Sequence, residues 1–142
     1  MLRFILSICL IVTLSACTLS SYVALEMPSG DLVKAKVSAT SSELARGLSG
    51  VNKMQGYDAM LFKFSKDTQV SFWMKDMRFP LDIIYLNKEK VVQEFFLNVP
   101  PCEVDKECLA LQSNKSNIFY VVEVPAGMAE QYKLEKGSLI NW

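Results

Sequence analysis

Six segments of the chain carry apolar residues at strand spacing. In "LVKAKVSA", residues 32–39, Val33, Ala35 and Val37 fall on one side and Lys34 and Lys36 on the other, the two-residue period of a half-buried strand. "AMLFKF" at 59–64 sets Met60, Phe62 and Phe64 on one face. "VSFWMK" at 70–75, "DIIYLN" at 82–87, "KVVQEFFL" at 90–97 and "NIFYVVEV" at 117–124 also read as strands. The polar "NKEK" at 87–90 separates two of them and predicts a hairpin. Ser41 or Ser42 can cap a short helix over "SELARGL", which Gly47 or Gly50 can end. "AGMAEQYKL" at 126–134 predicts a second helix, followed by Gly137 and a last strand "SLINW". The expected fold class is α+β, mainly β: a small closed or half-open barrel or sandwich with two short helices.

The N-terminus follows a different pattern. Arg3 precedes an apolar stretch of 11 residues, Phe4 to Leu14. A hydrocarbon core of ~30 Å needs about 20 helical residues, so this stretch is too short to span it. Residues 1–16 read as a secretory signal peptide. Leu14-Ser15-Ala16-Cys17 resembles the bacterial lipobox. That resemblance implies lipid on the thiol of Cys17 and cleavage before it, with more than one acyl chain for stable anchoring. Thr18 follows, not Asp, which favours the periplasmic face of the outer membrane if the host is Gram-negative. Residues 17–29 then form the lipidated N-terminus and a tether ending near Pro28, and residues 30–142 form one β-rich domain.

Composition narrows the chemistry. Loss of Arg3 with the signal leaves 14 basic against 15 acidic side chains, a balance that argues against nucleic acid as a partner. With no histidine in the chain, Ser-His-Asp and Cys-His machinery and imidazole zinc sites are excluded. Of four cysteines, Cys9 leaves with the signal and Cys17 takes lipid. Cys102 and Cys108 remain, and in an oxidising compartment they read as a disulfide. A redox pair or metal clip is the alternative, although redox pairs usually sit at two-residue spacing. Glu103, Asp105 and Glu107 alternate between those cysteines, but the glycine turn and distal glutamate of a calcium loop are missing. No metal and no cofactor are expected.

Five segments occur in one order: "ARGL" at 45–48, "AMLFKF" at 59–64, "FWMKDMRFPLDIIYL" at 72–86, "PPC…C" at 100–108 and "VVEVPAG" at 121–127. Together they resemble the prokaryotic family called domain of unknown function 192, from about residue 30 to the C-terminus. The resemblance implies a mainly β fold in a secreted or membrane-anchored protein, and it implies no activity.

Strand parity within 72–86 frames the question of function. Val70, Phe72 and Met74 share one face; Ser71, Trp73 and Lys75 take the other. Pro80 interrupts the ladder. Asp82 shares a face with Ile84 and Leu86, a costly place for an isolated carboxylate. Structural roles are open to each residue. Trp73 can cover an end of the barrel. Asp82 can receive backbone N–H groups. Arg46 can pair with Asp82 or Glu123 and pin helix to sheet. The functional reading gathers Arg46, Trp73, Lys75, Asp82 and Glu123 round one cleft beside the first helix. Such a cleft suits a small polar ligand: a sugar, a peptidoglycan fragment or a carboxylated metabolite. An alternative makes Asp82 and Glu123 the acid and base of a hydrolase acting on envelope glycans, with carboxyls ~5–10 Å apart. A third reading is an interaction protein, marked by an exposed apolar patch instead of a concave cleft. The leading expectation is a non-enzymatic envelope lipoprotein that binds a ligand or partner.

Overall fold

The structure, a computed structural model, describes residues 21–102 and 107–142. The expected signal peptide, Cys17, Glu103 and Asp105 lie outside the described residues. The elements are β1 (Tyr22–Glu26), β2 (Leu32–Ser38), α1 (Ser41–Arg46), β3 (Ala59–Thr68), β4 (Ser71–Phe72), β5 (Leu81–Leu86), β6 (Val92–Val99), β7 (Leu111–Gln112), β8 (Ile118–Pro125) and α2 (Met128–Gln131). The main sheet runs β1-β2-β3-β8-β5-β6, and β4 pairs with β7 in a small second sheet. Among the described residues the one parallel pair of the main sheet is β2 with β3. A parallel pair needs a crossover, and α1 with the loop that follows supplies it.

Both faces of the main sheet are covered, which explains why its central strands read as apolar runs. Every residue of β5 is buried. On one face Leu25, Val33, Ala35, Leu61, Ile84, Leu86, Val122 and Val124 pack against Ala129, Tyr132, Leu134 and Ile140 from the C-terminal region. On the other, Met60, Phe62, Ile83, Tyr85 and Val121 pack against Leu48 and Met74, with Phe72 and Leu111 of the small sheet beside them. Phe72 meets the rings of Phe62 and Tyr85 edge-on, at 4.9 and 6.0 Å between centroids.

Several expectations are met. The hairpin at 87–90 joins β5 to β6, which pair antiparallel, and Lys90 takes the left-handed conformation (φ 65°) at its end. The first helix forms where expected, but its cap is Thr40, one residue before the expected Ser41 or Ser42. There Glu43 N–H donates to Thr40 Oγ1, and Glu43 Oε2 accepts from Thr40 N–H at 3.0 Å. This reciprocal pair satisfies two N–H groups that a helix start otherwise leaves open.

Five expectations are corrected. The sheet is not closed into a barrel: β1 and β6 remain its edges. "SLINW" adds no strand, but touches both edges through single bridges, Leu139 with Val91 and Asn141 with Glu26. The tether assigned to 17–29 contains β1, paired along its length with β2, so the domain starts near residue 22. The strand expected over 70–75 shrinks to Ser71–Phe72, because the chain turns at Asp76, which takes φ 58°. The second helix is only Met128–Gln131; Lys133 at φ 54° turns the chain out of it.

Candidate functional site

A cleft of about 330 Å³ opens on the second face of the sheet, between the end of α1 and the segment from Val70 to Met77. Phe62 and Phe64 of β3 and Glu123 of β8 line it from the sheet. Leu44, Arg46, Gly47 and Leu48 line it on the helix side, and Phe72, Trp73, Lys75 and Met77 on the other.

Local backbone geometry builds these walls. Gly47 ends α1 with φ 49° and ψ −129°, and its N–H donates to the Glu43 carbonyl at 2.9 Å. A Cβ at this position would stand 3.4 Å from two ring atoms of Phe62. Glycine therefore lets the helix end settle close onto β3 while the backbone takes a positive φ that side chains resist. The turn leaves Arg46 exposed at the mouth and sends Leu48 into the core. Across the cleft, Gly50 N–H donates to the Asp76 carbonyl at 3.0 Å and ties the two walls together. Cys102 N–H donates to the Met74 carbonyl at 3.1 Å, so the Cys102–Cys108 disulfide, with Cα atoms 5.5 Å apart, anchors the Trp73 segment from outside. Met74 is buried and Trp73 is 62% exposed. The parity argument for the indole thus holds although the strand itself stops at Phe72.

Glu123 is the anomalous group. It sits opposite Met60 on one side and Ile83 on the other, only 5% exposed. Its Oε2 is buried and accepts no hydrogen bond from the described residues. Burial pushes its carboxyl up from 4.5 to about 8, since a low-dielectric surround disfavours the charged form. Near Glu123, the Tyr85 hydroxyl donates to the Leu111 carbonyl at 2.7 Å. Burial, followed by the charges of Glu123 and Glu94, raises the pKa of this phenol. Ser38 Oγ is a second buried atom without a partner among the described residues. Ser38 pairs across the sheet with Phe62 and lines an adjoining recess of about 600 Å³ with Lys36, Thr40, Ser42 and Glu43. Arg46 and Gly47 border both spaces. Buried polar atoms are nearly always satisfied, so Ser38 Oγ and Glu123 Oε2 are exceptions among the described residues.

Four of the five expected site residues, Arg46, Trp73, Lys75 and Glu123, come together here. Asp82 does not. It faces the opposite layer, 1% exposed. Its Oδ1 accepts from Asn98 N–H at 2.7 Å and its Oδ2 from Ala129 N–H at 3.0 Å. The first bond satisfies a bulge in β6, where Asn98 takes φ 53°. The second caps α2, which has no side-chain cap of its own. Asp82 therefore has the structural role open to it in the sequence, and the Asp82–Glu123 acid and base pair is withdrawn: a sheet stands between the two carboxyls. Arg46 pins neither acid, since Asp82 bonds backbone N–H groups and Glu123 Oε2 has no partner. The sequence reading missed Ser38 and the phenylalanines of the cleft. The alternation of Met60, Phe62 and Phe64 was visible, but it looks the same for a packed core and a cleft floor.

Among the described residues no group of three or more His, Cys, Asp or Glu side chains could hold a metal ion, and no helix is long and apolar enough to cross a membrane. Two solved structures share the fold. One is a protein of unknown function from Novosphingobium aromaticivorans DSM 12444, with 23% identity over 85% of each chain and a TM-score of 0.75. The other is a "putative transcription regulator" from Sinorhizobium meliloti 1021, with 22% identity over 85% of this chain and 95% of that one and a TM-score of 0.70. No curated protein matches the chain. The model of one family, DUF192, described as Uncharacterized ACR, COG1430, matches residues 23–142, and the chain belongs to that family.

Proposed function

We propose that this protein is a cell-envelope lipoprotein, held at a membrane through lipid on Cys17, whose β-rich domain binds a small polar ligand in the cleft beside α1. The observation that carries the binding reading is Glu123 Oε2, a buried carboxyl oxygen without a partner in the wall of a cleft. Leaving such a group unmade costs about 1–3 kcal/mol, a penalty that a ligand hydrogen bond relieves. Trp73 offers an exposed aromatic surface at the mouth, and Arg46 and Lys75 offer cationic donors there. The anchor reading rests on Leu14-Ser15-Ala16-Cys17. The near-neutral charge balance speaks against nucleic acid as a partner.

Tryptophan emission tests the binding reading. The chain has two tryptophans, so Trp142→Phe leaves Trp73 as the one indole. Titration of the full chain in detergent with sugars, organic acids and amino acids is expected to shift its emission for one of these classes. In the natural background, Trp73→Ala is expected to weaken binding of that class by calorimetry and leave the melting temperature unchanged. Silence of Trp73 toward all three classes at millimolar concentration, with no heat of binding, removes the reading.

A further inference from the structure

The cleft carries three kinds of group in one small space, and their chemistry narrows the ligand. A buried acid with an unpartnered oxygen lies in the wall, at Glu123. Aromatic side chains, Phe62, Phe64, Phe72 and Trp73, line the same space. Two exposed cations, Arg46 and Lys75, stand at the mouth. We propose that the cleft takes a zwitterion with an apolar body, a free amino acid or short peptide, its ammonium against Glu123 and its carboxylate against Arg46 and Lys75. This rests on the binding reading above and names the class of ligand for the same site.

An ammonium completes what the wall lacks. It gives the orphan oxygen a charge-assisted hydrogen bond, and the aromatic faces around it attract a cation. Without a ligand cation, an ionised Glu123 would be a buried charge without a partner, the arrangement proteins avoid. Arg46 is held at the mouth by the turn at Gly47 and by α1, and a planar guanidinium suits a carboxylate. The remaining lining, Leu44, Leu48 and Met77 among it, is apolar and accommodates an aliphatic side chain. A neutral sugar would satisfy Glu123 with one hydroxyl and use neither cation. A simple anion would use the cations and leave Glu123 unmade.

Binding of an ammonium also requires Glu123 to lose its proton. The empty cleft holds that proton up to about pH 8, so affinity for the zwitterion rises with pH below that point and one proton leaves per ligand bound. The other charged groups that line the cleft are Arg46 on α1 and Lys75 beyond β4, and the titratable group near Glu123 is Tyr85 on β5. Tyr85 keeps its proton throughout that range, its pKa being raised by burial.

The test uses the full chain in detergent and measures affinity by calorimetry and Trp73 emission. The probes are either enantiomer of leucine, N-acetyl-leucine, leucinamide and N-acetylglucosamine. Leucine is expected to bind roughly tenfold or more tighter than N-acetyl-leucine, which lacks the ammonium, and than leucinamide, which lacks the carboxylate. Glu123→Gln is expected to abolish the first preference, and Arg46→Ala, at an exposed position, to reduce the second. Equal binding of leucine and N-acetyl-leucine overturns the inference, as does a Glu123→Gln protein that folds and keeps the preference. If N-acetylglucosamine moves Trp73 emission and leucine does not, the cleft is a ligand site and the zwitterion is wrong. If no probe of any class binds, both readings fall.

Discussion

Asp82 on β5 and Glu123 on β8 lie one rung apart on neighbouring strands, yet their carboxyls point to opposite sides of the sheet. The register sets Asp82 against Val124 and Ile83 against Glu123, and adjacent residues of a strand face opposite ways. Asp82 has both oxygens bonded to backbone N–H groups. Glu123 has one oxygen bonded to nothing. Two acids buried in one sheet therefore stand differently: one bonds backbone of β6 and α2, and the other lines the cleft with an unpartnered oxygen.

Asp82→Asn should lower stability and leave the cleft alone. An amide oxygen can serve one of the two N–H donors, while its NH2 group confronts the other. The expected loss is about 1–3 kcal/mol, read from urea midpoints, with Trp73 emission and ligand response unchanged. A variant as stable as the natural protein would show that the β6 bulge and α2 do not depend on this carboxylate.

Stability should fall as pH rises from about 4.5 to about 8. In that window the folded protein keeps a proton on Glu123 that the unfolded chain has released. The unfolded state therefore binds fewer protons, and stability has a negative slope against pH. The full effect is on the order of 5 kcal/mol at most, and it levels off above the folded value. Glu123→Gln should flatten the slope and be the more stable protein near the top of the window. Equal slopes in the two proteins would place the proton elsewhere.

Gly47→Ala should cost about 1–3 kcal/mol, the usual range for a side chain forced into a sparsely populated backbone region. The added methyl also meets the Phe62 ring at 3.4 Å. Because Gly47 sets where Arg46 stands, ligand affinity should fall as well. Calorimetric melting and binding, measured on the same sample, check both parts.

Cys17→Ala should abolish labelling of the protein with radioactive palmitate and block cleavage before residue 17, so that the longer precursor accumulates. A Cys17→Ala protein that still takes up the label, or is cleaved at the same place, would refute the lipid anchor.

How much of this was legible in the sequence depends on the distance over which each feature is specified. Parity within one segment is local, so the exposure of Trp73 beside buried Met74 could be read directly. So could the hairpin at 87–90 and a helix ending at Gly47 or Gly50, of which the structure uses Gly47. The relation between Asp82 and Glu123 could not. Parity separates the two sides of one strand, but which side of β5 matches which side of β8 depends on a register between segments about 40 residues apart. Both strands are buried on both faces, so no polar side marked the answer. β1 was lost for the opposite reason. Only Leu25 of "YVALE" is fully buried, and an edge strand between Ser-rich residues and Pro28 looks like a linker. The barrel expectation failed because nothing in five residues of "SLINW" distinguishes a strand from a segment that makes two single bridges.

Those two bridges have a consequence for the order in which the domain is completed. Glu26 and Asn141 exchange backbone hydrogen bonds at 2.8 and 3.1 Å, and Trp142 stacks edge-on with Tyr120 at 5.0 Å. The first described strand is thus secured by a residue about 115 positions further along the chain. Contacts so distant along the chain form slowly, and a nascent polypeptide that ends before residue 138 has no means of forming them. Trp142 emission in a Trp73→Phe protein would time that final docking, and it should lag behind the burial of the central strands.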